Sequence, residues 1–170
     1  MLRVDLRELA RTGAVETRGE LAQHDPVLEG TELSLKEPVV VGGRLQSIGQ
    51  DRFYWQGTIR TLVQGECTRC LTPVVTRVNL EVGALFTQDP DAVDDPDSYP
   101  VAPEATDIDL TPAVREELVL AAPRYLLCRE DCKGLCSQCG KDLNAGPCGC
   151  APATDARWQP LKSLKDMLSS

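Results

Sequence analysis

The residues best suited to chemistry are the eight cysteines, which fall in four pairs: Cys67-x-x-Cys70, Cys128-x-x-x-Cys132, Cys136-x-x-Cys139 and Cys148-x-Cys150. A tight turn between two thiolates aims both sulfurs at one point, so each pair supplies half of a tetrahedral zinc site, and four pairs make two sites and two zinc ions. Gly140, directly after Cys139, fits such a knuckle, because a residue without a side chain lets backbone N–H groups approach the sulfurs. The simplest partition gives Cys136, Cys139, Cys148 and Cys150 to one local ribbon and leaves Cys67 and Cys70 to meet Cys128 and Cys132. A competing partition joins Cys128, Cys132, Cys136 and Cys139 and leaves Cys67 and Cys70 as a free dithiol. Closed four-thiolate sites keep no position for water or substrate, so they hold structure. Binding of such an ion contributes on the order of 10–16 kcal/mol to folding. That would dominate residues 128–150, whose large apolar side chains are few besides Leu135 and Leu143.

Other catalytic patterns are missing. His24 is the single histidine and sits in a polar loop sequence, and the chain has no phosphate-binding Gly-x-x-x-x-Gly-Lys and no Gly-x-Ser-x-Gly elbow. We expect no enzyme and no small-molecule substrate. The charged N-terminal sequence lacks the apolar stretch of a secretory signal, so the eight cysteines are expected to be metal ligands in a reducing, cytoplasmic setting. A redox dithiol at Cys67 and Cys70 would call for a βαβ pattern, which is absent. No apolar run reaches the roughly 20 residues of a membrane span; Leu118 to Ala122 stops at Pro123. The net charge of −8 is concentrated: residues 87–117 hold ten acids against Arg115 alone, which leaves the remainder close to neutral. The near-neutral body of the chain therefore has room for a basic face. Arg60, Arg69, Arg77, Lys133 and Lys141 are its candidate RNA contacts, and the Phe53-Tyr54-Trp55 run offers rings for stacking.

These residues need elements to position them. Aromatics are only 4% of the chain, so a core must be aliphatic. Residues 1–12 read as a short helix or extended arm. From about Thr31 to Phe86 the pattern has period two, with Phe53, Trp55, Ile59 and Val63 on one side and Tyr54 on the other. Gly42-Gly43 suggests a bulge or bend, and residues 47–51 a hairpin loop. Residues 87–107, rich in Pro and acids, have the composition of a loop. Thr111 is suited to cap a helix with Pro112 at its first position and Glu116 and Glu117 early in it, ending at Pro123. Leu161, Leu164 and Leu168 are spaced as on a packing helix. The expected fold is α+β: an antiparallel β meander or small open barrel, a covering helix and a C-terminal zinc-ribbon-like segment. Its divisions are 1–86 (arm and β domain with the first Cys-x-x-Cys), 87–107 (acidic loop), 108–127 (helix) and 128–170 (cysteine-rich segment and final helix).

Several motifs in order resemble one family. Glu66-Cys67-Thr68-Arg69-Cys70 is followed by Ile108-Asp109-Leu110, by Glu116-Glu117-Leu118-Val119-Leu120-Ala121-Ala122-Pro123, and by the run from Cys132-Lys133-Gly134-Leu135-Cys136 to Cys139-Gly140-Lys141-Asp142-Leu143-Asn144. Asp155-Ala156-Arg157-Trp158 closes the set, with Ala156 where Pro is common. Over roughly residues 60–168 the chain resembles the YceD family of large ribosomal RNA subunit accumulation proteins. The resemblance implies a bacterial cytosolic protein needed for accumulation or processing of large-subunit rRNA, with no agreed enzymatic activity. Branches of the family keep the first Cys-x-x-Cys and lose the last four cysteines, which favours grouping Cys67 and Cys70 with Cys128 and Cys132. The expected partner is the large ribosomal subunit or its precursor, with strand arginines and knuckles touching rRNA and the acidic loop touching a basic ribosomal protein. The alternative is a thiol-based redox or zinc-sensing switch with Cys67 and Cys70 as its labile pair; a nuclease is disfavoured by the single histidine.

Overall fold

Alternating apolar residues build the central sheet. In the computed structural model, which describes residues 2–89 and 98–150, the chain is α+β. Its elements run β1 (Arg3–Asp5), α1 (Leu6–Thr12), β2 (Ala14–Leu21), a 3-10 turn (Pro26–Leu28), β3 (Val39–Gly49), β4 (Arg52–Glu66), β5 (Pro73–Thr87), β6 (Ser98–Pro100), β7 (Asp107–Asp109) and α2 (Thr111–Ala121). The strands β2 to β5 form an antiparallel meander, β6 adds to β5 in parallel, and β1 pairs with β7 in a separate two-stranded ribbon. The arm at the N-terminus is thus both strand and helix, and Asp5 caps α1 by accepting from the N–H groups of Arg7 and Glu8 at 2.7 and 3.2 Å.

Register places Val41, Ile59 and Leu80 on one face, then Gly43, Gly57 and Val82, then Leu45, Trp55 and Ala84. This face is the core, closed by Leu9 of α1, Ile108 of β7 and Val114 and Leu118 of α2. Trp55 is fully buried, and its indole N–H donates to Thr17 Oγ1 at 2.9 Å. That pairing explains Gly43 and Gly57, which face each other across β3 and β4. A Cβ on Gly57 would stand 2.4 Å from Trp55 Cζ2 and one on Gly43 2.9 Å from Trp55 Nε1, so the two glycines leave the sheet bare where the indole lies. The expectation of a bulge at Gly42-Gly43 is corrected: register is continuous there, and the irregularity falls at Ser47/Gly49. The expected hairpin loop shrinks to a turn at Gln50-Asp51, with Asp51 at φ 59°.

Two further expectations change. The loop composition of residues 87–107 does not hold for its described ends: Tyr99 stacks on Phe86 at 5.2 Å and donates to Glu116 at 2.8 Å, which draws Ser98–Pro100 onto the sheet. Burial and the carboxylates of Glu116 and Glu117 push the Tyr99 phenol well above its ordinary value. In α2 the flanking residue is Leu110, and Thr111 is already helical. The cap comes from Asp109, which accepts from the Thr111 N–H at 2.9 Å. Glu116 and Glu117 therefore lie beyond the first turn, which holds no acid. The helix expected near residues 160–168, the Asp155–Trp158 motif and the acids at positions 91–97 lie outside the described residues. No helix among the described residues is long and apolar enough to cross a membrane.

Candidate metal centres

The hairpin of β4 and β5 extends past the core, and its tip, residues 67–72, carries Cys67 and Cys70. From α2 the chain returns along this hairpin. Leu126 settles where Gly65 has no side chain, 2.6 Å from the position of a Cβ, and the Leu126 carbonyl accepts from the Thr68 N–H at 2.9 Å. This delivers Cys128 and Cys132 to the tip. The sulfurs of Cys67, Cys70, Cys128 and Cys132 all lie within 4.8 Å of one another, and those of Cys136, Cys139, Cys148 and Cys150 form a second such group. The structure therefore has the long-range partition, with no stranded dithiol at Cys67 and Cys70.

Within the first group, Cys67 and Cys132 sulfurs are 3.9 Å apart and those of Cys70 and Cys128 3.6 Å. Disulfide sulfurs would be at about 2.05 Å. Thiolates at about 2.3 Å from a tetrahedral zinc stand about 3.8 Å apart, so the donor set fits such an ion in both kind and spacing.

The Cys-x-x-Cys turns of the two groups are built alike. Cys67 N–H donates to Thr72 O and Leu71 N–H to Cys67 O, both at 2.8 Å; Cys136 N–H donates to Lys141 O at 2.8 Å and Gly140 N–H to Cys136 O at 2.9 Å. The residue after the second cysteine is left-handed in each, φ 70° at Gly140 and φ 60° at Leu71. Only Gly140 takes that conformation without a steric penalty.

Electrostatics grade the thiols. A backbone hydrogen bond from Cys128 draws Cys67 down to about 6 against its burial, and backbone hydrogen bonds from Cys139 and Gln138 draw Cys136 to about 6. Burial and the neighbouring thiols raise Cys128 to about 12, while a hydrogen bond with Cys139, together with burial, raises Cys150 to about 12. Burial also works against ionisation of Cys132, but the Asn144 carboxamide and the Gly134 backbone overcome it and leave that thiol lowered. Each group thus favours partial ionisation, and a divalent cation would displace the remaining protons.

Asn144 is the residue that spacing did not single out. It lies between Cys139 and Cys148 in the chain, yet its Nδ2 donates to Cys132 Sγ of the other group at 3.5 Å. Its Oδ1 accepts from the Lys133 N–H at 2.8 Å and from Arg129 Nη2 at 2.7 Å. A bridge between Leu135 and Asp142, and the Leu143 N–H donating to Gly134 O at 2.9 Å, hold the same loop in place. The signal available in sequence was a carboxamide inside the loop between two ligand pairs.

The five candidate RNA contacts separate. Arg60 and Arg77 are exposed on the sheet face opposite the core, where Arg60 Nε donates to Asn79 at 3.1 Å. Arg69 binds the two halves of the first cysteine group, its Nη1 donating to the carbonyls of Glu130 and Cys132 at 3.1 and 2.8 Å. Lys141 donates to the Pro147 carbonyl at 3.0 Å, and the Lys133 side chain is exposed beside Cys132.

The family described as large ribosomal RNA subunit accumulation protein YceD matches residues 55–165, a span that includes β4 from Trp55 onward and all eight cysteines. An uncharacterized protein of Mycobacterium tuberculosis is 30% identical over 166 residues, which cover 95% of this chain and 80% of that protein. Large ribosomal RNA subunit accumulation protein YCED homolog 1, chloroplastic, of Zea mays is 23% identical over 193 residues, covering 95% of this chain and 65% of the maize protein. Its Arabidopsis thaliana namesake is 26% identical over 141 residues, covering 66% of this chain and 44% of that protein. No solved structure matches. With most of its length, its long hairpin and both cysteine groups inside the match, the chain belongs to the YceD family.

Proposed function

We propose that the protein is a zinc-stabilised, non-enzymatic factor of large ribosomal subunit biogenesis that binds precursor subunits in the cytoplasm and supports accumulation or processing of their rRNA. The family match over residues 55–165 carries the ribosomal part of this reading. Sulfur separations of 3.6 and 3.9 Å, near a tetrahedral zinc edge, support the metal. The eight cysteines would hold two zinc ions, each saturated by four thiolates, so the metal supplies folding energy and no reactive position. In the Cys67 group the ion would tie the β4–β5 hairpin to the segment after α2. In the Cys136 group it would close a zinc-ribbon-like loop. Large-subunit rRNA or a ribosomal protein is the partner, and no small-molecule substrate is involved.

The test is sedimentation of tagged protein in a low-salt gradient of cell extract, with RNA cross-linking of the fractions it enters, alongside depletion. Enrichment with large-subunit precursors and altered precursor rRNA ends upon depletion are expected. A protein that runs only free, with rRNA unchanged on depletion, overturns the reading. A second reading, a thiol-based redox or zinc-sensing switch, loses Cys67 and Cys70 as its labile pair, because both are buried, and is favoured instead by the exposure of Cys128 and Cys139. It requires zinc release under mild peroxide, and resistance of all eight thiols to peroxide and alkylation would end it.

A further inference from the structure

The face of the sheet turned away from the core carries exposed arginines on four strands, and apart from Arg52, which pairs with Asp89 at 3.7 Å at the far end of β4, four of them lie close together. These are Arg18 on β2, Arg44 on β3, Arg60 on β4 and Arg77 on β5. Register brings them within a few rows. Arg18 stands opposite Gly42, itself paired with Thr58; Arg44 is opposite Gln56, and Arg60 is opposite Val40. The acids among them are Glu16, Glu20 and Glu81, two of them on the outermost strand β2. Glu16 meets Arg44 only at 4.0 Å, with both side chains largely exposed. The arginines therefore outnumber the acids here, whereas the chain as a whole carries −8.

Beside this band lies Tyr54. A Cβ on Gly83 would be 2.3 Å from Tyr54 Oη, 3.1 Å from Cζ and 3.5 Å from Cε2, so the phenol ring extends across the neighbouring strand over a bare glycine. A ring laid along a sheet turns one π face to the sheet and the other to solvent. Gly83 makes room for it just as Gly57 does for Trp55 on the opposite face.

We propose that this outer face of β2 to β5 is a docking surface for single-stranded RNA, with Tyr54 as the stacking platform and Arg18, Arg44, Arg60 and Arg77 as phosphate contacts. The proposal rests on the ribosomal reading above and specifies the surface and partner class. An aromatic ring on an open sheet, flanked by cations, suits unpaired bases, which offer a π face whatever their sequence. A duplex hides those faces. A protein partner would call for an apolar centre, but the middle of this face is polar and charged around Gly42, Gln56 and Thr58, and its exposed aliphatic side chains, Val40, Ile48 and Val75, stand apart from one another on different rows.

The test uses the zinc-loaded full chain and a labelled, unstructured RNA oligonucleotide, read by fluorescence anisotropy over a range of salt. Tyr54→Ala should weaken binding about 5- to 150-fold, the range for loss of one stacked base, while Tyr54→Phe keeps wild-type affinity. Tyr54→Met, which keeps a long apolar side chain on the sheet without a ring, should bind like Tyr54→Ala. The pair Arg44→Gln and Arg60→Gln should lower the slope of log affinity against log salt by about 1.4. Melting temperatures of the variants check folding. Wild-type affinity for the oligonucleotide in the folded variants overturns the proposal, and where such variants also stop sedimenting with large-subunit precursors the face contacts a ribosomal protein instead. The triple variant Tyr54→Ala, Arg44→Gln, Arg60→Gln separates the two readings. If it still sediments with large-subunit precursors as wild type does, this surface is wrong and the ribosomal reading stands; if wild type itself does not sediment with them, the ribosomal reading fails.

Discussion

Replacing Asn144 with alanine removes four side-chain hydrogen bonds: to Cys132 Sγ, to Asp142, and from Arg129 and the Lys133 N–H. Water can replace the exposed Arg129 and Asp142 partners. The bond to the sulfur and the bond to the Lys133 N–H act on the turn that aims Cys132, and loss of such outer contacts typically costs 10- to 100-fold in metal affinity. For Asn144→Ala this means about 1.4–2.7 kcal/mol at the Cys67 group, with the Cys136 group unaffected. Because both groups consist of four thiolates, the assay must read each cysteine separately. Alkylation at graded, buffered zinc concentrations, analysed by mass spectrometry, does so. Cys67, Cys70, Cys128 and Cys132 should lose protection at zinc levels about 10- to 100-fold higher than in wild type, while Cys136, Cys139, Cys148 and Cys150 keep theirs. Asn144 is held by a loop that the second group closes, so the double change Cys148→Ser, Cys150→Ser should weaken the first group by a similar factor. Adding Asn144→Ala to it should cost little more, since both changes remove one contact. Equal protection of the first group in wild type and Asn144→Ala would refute the coupling.

Leu71→Gly should raise stability by a few tenths to about 1 kcal/mol, as relief of a left-handed backbone is partly offset by glycine's freedom in the unfolded chain. Leu71 is 57% exposed and gives up little burial, so a fall in the melting temperature would contradict the strain argument. At Asp109 partial burial raises the carboxyl, but Thr111 and Arg3 overcome it and leave its value lowered. Its contribution to stability is therefore complete above about pH 4 and fades as pH falls through the lower folded value. Asp109→Asn should flatten that part of the pH profile in urea unfolding, and an unchanged profile would speak against the Arg3 and Thr111 contacts. Removal of zinc by a chelator should expose all eight cysteines to alkylation and leave the strand signal in circular dichroism, because the core of the sheet is aliphatic and separate from the cysteine groups. Loss of the strand signal with the zinc would show that the hairpin tip supports the whole sheet.

Much of the fold was legible because its signals are local. Period two in residues 52–86 predicts strands with Trp55 inside and Tyr54 outside, and Pro112 and Pro123 bracket α2. The turn chemistry of Cys-x-x-Cys likewise places a ligand pair at a hairpin tip. Composition misled at Ser98–Pro100, where one stacked tyrosine outweighs prolines and acids, and at Thr111, where the carboxylate of Asp109 caps the helix from two residues away.

The cysteine spacing by itself determined that four pairs are present and that each can hold half a metal site. Which pairs combine was settled by tertiary structure, since Cys67 and Cys132 meet only when β4 and β5 extend past the core and α2 returns the chain along them. The same holds for Asn144 bridging the two groups and for Tyr54 lying over Gly83. A local turn depends on a few neighbouring dihedral angles, whereas contacts between distant residues depend on strand register and on how the intervening chain closes, neither of which a motif encodes.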